Sequence, residues 1–230
     1  MKSRYVLLAV CAIGFLLTAQ FATAVDKIEG PWYWMITESP AGGGGAAVTD
    51  VDGIKDATKG KLTEEDVAKE GITKNILKVK FAENYKWTEG EITPVGGNNI
   101  NDTLVKIKLG PGGDVNDHCS YAVINAVSKV TKKGVEAKVG SDDSVKVWMN
   151  GKEVWKNPVN RGAGDFQDTF EVDLKKGDNV FMVKVCERGG GWSMFAGIDA
   201  DLDYNLKFKG LPVEPAGKLA TQWAAVKSSY

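Results

Sequence analysis

Histidine is nearly absent from this chain: one, His118, in 230 residues. Cysteine is almost as scarce, with three. A protein-held zinc needs three or four His, Cys or carboxylate ligands, commonly with several nitrogens or thiolates, and this inventory does not supply them. Serine nucleophiles lack a Gly-x-Ser-x-Gly elbow. His118 adjoins Cys119, and neighbours on a strand point to opposite faces, so the two do not share a proton. Carboxylates are plentiful, yet no spacing picks out an acid and a base at glycosidase separation. The chain therefore reads as non-catalytic. Lysines and arginines form no dense run, which argues against a nucleic-acid partner. Beyond the N-terminal segment no stretch approaches the ~20 apolar residues that span a bilayer.

That N-terminal segment reads as a signal peptide, residues 1–24. Lys2 and Arg4 form a basic start, Tyr5 to Leu17 is apolar, and Ala22-Thr23-Ala24 fits a small-x-small cleavage site. An uncleaved anchor is the alternative. Cleavage places the protein outside the cytoplasm, secreted or periplasmic, with no membrane span. Without Lys2 and Arg4 the balance is 27 basic to 30 acidic side chains, a net charge of −3. Cys119 and Cys186 remain. An oxidising compartment permits one bridge between them; two buried thiols are the other reading.

What the chain has in quantity is glycine, 27 residues, and tryptophan, seven. Both suit a β protein with tight turns and aromatic anchors. The clearest local signal is Asn150-Gly151 between two β-rich runs. A type I′ hairpin turn needs φ > 0 at both central positions, which this pair tolerates. A two-residue loop pairs Met149 with Lys152, Trp148 with Glu153, Val147 with Val154 and Lys146 with Trp155. Val145, Val147 and Val154 then face the core, and Trp148 and Trp155 share the outer face with Lys146 and Glu153.

Further strands are expected over 28–36, 76–81, 103–109, 120–130, 135–139, 168–174, 179–186, 192–198 and 202–208. Pro31 makes the first an edge or entry strand. The runs 168–174 and 179–186 are expected to form a hairpin across Lys176-Gly177-Asp178. Residues 41–75 read as an insertion, with a short helix capped by Thr63 ahead of Glu64, Glu65 and Asp66. Residues 211–230 read as a Pro-containing linker and an amphipathic tail, with Leu219, Trp223 and Val226 on one helical face. The spacing of strands and turns predicts one all-β domain over 25–210, an antiparallel jelly-roll-type β-sandwich with a short helical insertion and a short C-terminal helix.

A resemblance supports this. Ser141-Asp142-Asp143 running into Val147-Trp148-Met149-Asn150-Gly151-Lys152 resembles the "SDDG…LWIDGK" signature of PA14-type β-sandwich domains. Leu174-Lys175-Lys176-Gly177 is similar to the "L-x-x-G" turn that follows in that family and in jelly-roll carbohydrate-binding modules. The match spans Ala137 to Ile198. The whole chain also resembles secreted bacterial proteins that open with "IEGPW-x-WMI". The PA14 resemblance implies a carbohydrate-binding, lectin-like module in which Asp142 and Asp143 hold calcium and the ion holds sugar hydroxyls.

On the residues alone, calcium requires six to eight hard oxygens, which adjacent carboxylates and loop carbonyls can provide; an Asx-type turn at Asp142-Asp143 is the plainer reading. Trp148 and Trp155 are candidate stacking platforms for a pyranose, unless the insertion covers them. Arg161 and Asp165, with Arg188 and Trp192 around Gly189-Gly190-Gly191, form a second candidate rim. Asp199, Asp201 and Asp203 alternate and could share one side. Two functions remain open: a calcium-assisted glycan-binding module, or an extracellular structural or adhesion module that meets another protein.

Overall fold

A computed structural model describes residues 25–39 and 44–209. The signal segment 1–24 and the tail 211–230 lie outside the described residues. Ten strands form two antiparallel sheets: β1 Trp32–Glu38, β2 Thr88–Gly90, β3 His118–Ser128, β4 Lys132–Asp142, β5 Ser144–Met149, β6 Lys152–Asn157, β7 Asp168–Leu174, β8 Gly177–Glu187, β9 Ser193–Ile198 and β10 Leu202–Asn205. The large sheet runs β2-β1-β3-β8-β5-β6, with β10 also on β3; the small one runs β7-β4-β9.

The sheets enclose the main core. Trp32, Trp34, Ile36, Val147, Phe181 and Val183 on the large sheet meet Val135, Val139, Phe170, Val172 and Met194 on the small one. A second core lies on the other face of the large sheet, where Tyr33, Met35, Tyr121, Trp148 and Met182 meet Ile54, Val67, Ala68 and Ile72 of the insertion. The large sheet is thus covered on both sides. This explains why β3 and β8 read as nearly unbroken apolar runs rather than alternating ones. Each large apolar side chain so buried contributes about 1.5–3 kcal/mol.

The insertion holds three short helices: α1 Gly44–Val48, α2 Gly53–Ala57 and α3 Glu64–Glu70. The Thr63 hydroxyl accepts from the Asp66 N–H while the Asp66 carboxylate accepts from the Thr63 N–H, a reciprocal cap. A buried polar clamp fixes the insertion to the sheet. Lys184 Nζ, from the middle of β8, donates to the carbonyls of Val51 at 2.6 Å and Thr49 at 3.1 Å and to Glu64 Oε1 at 2.8 Å. Tyr121 Oη donates to the same Glu64 oxygen at 2.8 Å. Burial pulls the Lys184 ammonium below its usual range and pushes the Glu64 carboxyl above its own.

Several elements differ from the sequence reading. Residues 103–107 of the expected strand 103–109 belong to a helix, α4 Asn99–Ile107, because Ile100 and Leu104 bury one face while the Asn99 side chain bonds both the N–H and the carbonyl of Met194. Residues 76–81 form no strand; a 3₁₀ turn occupies Ile76–Lys78. β1 is not an edge: β2 covers part of it. β7 and β8 are not a hairpin, since the turn at 175–177 carries the chain from one sheet to the other.

The turn at Asn150-Gly151 is as expected, with φ 54° and 83°. Its register is not. A bulge at Val154 pairs Val147 with Trp155 and Lys146 with Lys156. Trp155 therefore turns inward and stacks on Phe170, centroids 5.7 Å apart and planes 8° apart. Cys119 and Cys186 share a rung of β3 and β8 and form a disulfide.

Candidate functional site

The loops at one end of the sandwich converge on Asp142 and Asp143, between β4 and β5. The peptide bond joining the two is cis. The loop after β6 supplies backbone donors: Arg161 N–H to Asp143 Oδ1 at 3.0 Å, and Ala163 N–H to Asp142 Oδ2 at 3.2 Å. The loop before β9 closes in from the other side. A Cβ on Gly191 would lie 2.9 Å from Asp142 Oδ2 and 2.6 Å from the Gly97 carbonyl oxygen, so only glycine permits this approach.

A third carboxylate belongs to this end. Glu187 terminates β8, is 1% exposed, and neither of its carboxylate oxygens has a hydrogen-bond partner among the described residues. Burial, then the charges of Asp143, Asp117, Asp114 and Asp142, push its carboxyl up to about 8. Burial, then Asp143, push Asp142 up to about 6. A buried carboxylate without donors is costly. The charges of neighbouring acids add to that cost, which a proton or a cation relieves.

The expected site residues distribute unevenly around this cluster. Arg161 contributes its backbone. Its guanidinium is engaged elsewhere, donating to Ser141 Oγ at 2.8 Å, to the Ser141 carbonyl at 3.2 Å and to Asp168. Asp165 pairs with Lys27 at 2.7 Å. Arg188 is exposed at the rim, and its carbonyl accepts from the Asp117 N–H at 3.0 Å.

Of the three candidate tryptophans, Trp148 and Trp192 are buried and Trp155 is half-buried. Trp192 is 0% exposed, with its indole N–H donating to the Val185 carbonyl at 3.2 Å. Trp148 is 5% exposed beneath the helical insertion, with Lys146 Nζ 5.1 Å from its ring centroid. Trp155 faces the main core through the bulge. Asp199, Asp201 and Asp203 are exposed, and Asp201 pairs with Lys129 at 2.8 Å.

Glu187 was not legible as a site residue, although a charged residue ending the apolar run Phe181-Met182-Val183-Lys184-Val185-Cys186 is the signal that marks it. A second group of possible metal ligands includes residues on the same rung as Glu187, across β3 and β1. Glu38, Glu83 and His118 each offer one ligand atom, all within 4.8 Å of one another. His118 Nδ1 is 2.6 Å from the Asn116 carbonyl oxygen, so the neutral ring carries its proton there and its lone pair on Nε2.

No helix among the described residues is long and apolar enough to cross a membrane. No protein family matches the chain by sequence, and no curated protein does. Two solved structures are similar in chain path. The PA14 sugar-binding domain from an RTX adhesin is 13% identical with a TM-score of 0.41, over 79% of this chain and 96% of that one. The PA14 domain of the antifreeze protein MpAFP is 12% identical with a TM-score of 0.41, over 82% and 92%.

Proposed function

We propose that this protein is a non-catalytic extracellular binding module that takes a glycan through a calcium ion held at Asp142 and Asp143, with Glu187 a nearby buried charge that the ion relieves. The observation that carries this reading is Glu187: two buried carboxylate oxygens without donors, within electrostatic reach of a pair of acids already presented by two loops. Hard oxygens are what calcium takes, and a divalent charge relieves the repulsion that raises Asp142 and Glu187. Arg161 and Ala163 orient the aspartates through backbone N–H groups, and Gly191 lets the neighbouring loop come close. Calcium, when bound, supplies open coordination positions for vicinal sugar hydroxyls. Recognition then works through the ion and the loop rim, with Trp148, Trp155 and Trp192 as packing residues.

The burial of Trp148 and Trp192 also favours a second reading, an adhesion module whose partner is another protein. One experiment separates them. Electrophoresis through gels containing polysaccharides, with calcium and with chelator, should show calcium-dependent retardation that Asp142→Asn and Glu187→Gln abolish. Self-association or partner capture without retardation in any glycan gel would favour the second reading.

A further inference from the structure

The opposite end of the sandwich has the opposite charge. A cleft of about 980 Å³ lies between the end of α3, the crossing from β7 to β8, and the segment after β10. Six lysines line it: Lys69, Lys74, Lys175, Lys176, Lys207 and Lys209. The acids lining it are Glu70 and Asp178. Elsewhere Lys27, Lys129, Lys138, Lys146, Lys156 and Lys184 are paired. None of the six cleft ammonium groups has an ion-pair partner among the described residues. Three distant segments therefore bring unpaired positive charge to one concave surface, a clustering that no single stretch of sequence displays.

Two of the asparagines lining the cleft are already engaged. Asn125 Nδ2 donates to Asp178 Oδ1 at 2.9 Å, and Asn150 Nδ2 donates to Asn179 Oδ1 at 2.9 Å. The single aromatic among the lining residues, Phe208, is 7% exposed and offers no face on which a base could stack. What is left to bind with is charge on long, flexible stems. Lysine ammonium groups are point charges without fixed fork geometry. Several of them across a cleft suit a polymer with repeated anionic groups better than one positioned phosphate.

The geometry points to this cleft as a binding site for an acidic polysaccharide, carboxylated or sulfated. It is a second site, independent of calcium. β8 has Gly177 at the cleft and Glu187 at the acidic end, about 33 Å apart at ~3.3 Å per residue. The two ends can therefore be tested separately.

The experiment uses retention on polygalacturonate, dextran sulfate and neutral dextran, with chelator present throughout so that the acidic end is silent. The protein should be retained by either or both acidic polymers at low salt and released as salt rises, and neutral dextran should not hold it. Which polymer holds it longer tells carboxylate from sulfate. The quadruple variant K175Q/K176Q/K207Q/K209Q should bind at least about tenfold more weakly, as expected when several ionic contacts are removed. The pair K69Q/K74Q, on a separate segment, should weaken binding too. K106Q/K108Q on α4 should not, and melting temperatures should show that all three variants fold. Failure of both acidic polymers to retain the protein, equal retention on neutral dextran, or undiminished binding by folded cleft variants would overturn the assignment. So would a single-stranded oligonucleotide that outlasts both polysaccharides as salt is raised, which would give the cleft to nucleic acid instead.

Discussion

Replacing Glu187 by glutamine should make the calcium-free protein more stable, and only above a defined pH. Glu187 has an ordinary carboxyl pKa of 4.5 when unfolded, and its folded value is about 8. Below pH 4.5 both states hold the proton and Glu187 adds no penalty. Between these values the folded state holds a proton that the unfolded chain has released, so stability falls as pH rises. Above about 8 the folded state must carry the buried charge, and the penalty is full. At 1.36 kcal/mol per pH unit, the interval amounts to about 5 kcal/mol. A domain of this size gains about 2–4 °C per kcal/mol, so the penalty is worth about 10–20 °C.

The assay is thermal melting of wild type and Glu187→Gln in chelator from pH 4 to pH 9, followed by calcium addition at pH 7. The two proteins should melt together near pH 4. The variant should melt progressively higher as pH rises. Subtracting the two curves removes the contributions of other carboxylates. Calcium should raise the wild-type melting temperature and leave the variant's nearly unchanged. A difference curve that is flat with pH, or equal stabilisation of both proteins by calcium, would refute the argument that Glu187 is a buried charge awaiting a cation.

Gly151→Val should destabilise the domain by about 1 kcal/mol or more, because the position has φ 83° and a Cβ there would lie 3.0 Å from the Lys69 Cβ; an unchanged urea midpoint would count against it. Lys184→Met and Glu64→Gln should each cost about 3–5 kcal/mol by stranding the other partner in the buried clamp, while the double variant should cost clearly less than their sum, as a double-mutant cycle by denaturant titration can check. Thiol titration of the unfolded, unreduced protein should find no free thiol at Cys119 or Cys186, and reduction should lower stability by about 4 kcal/mol for a loop closed across 67 positions.

Most sandwich strands were legible because turn residues punctuate them and because β-branched and aromatic residues fill them. The capped helix was legible from Thr63 and its acids. The errors have physical causes. Residues 103–109 carry β-type residues, but their interaction with β9 runs through the Asn99 side chain, and no sequence periodicity reports a tertiary hydrogen bond. Lys175-Lys176-Gly177 announces a turn, yet a turn within one sheet and a crossing between two use the same residues. The bulge at Val154 is one extra residue in a ladder, invisible in sequence, and it reverses the side on which Trp155 lies. The acidic pair was legible because its residues are adjacent. Glu187 and the lysine cleft were not, because each depends on segments that only the fold brings together.

The displaced register at β6 has a consequence for association between copies of the chain. β6 is the outer strand of the large sheet, with its far edge unpaired by any strand among the described residues. A flat, apolar strand in that place would offer a template on which further copies could polymerise. The irregularity that sends Trp155 inward also interrupts the even spacing of backbone donors and acceptors along that edge, and it leaves Lys152, Glu153 and Lys156 to guard it. The packing of one tryptophan and the resistance of the whole molecule to fibre growth are therefore set by the same inserted residue.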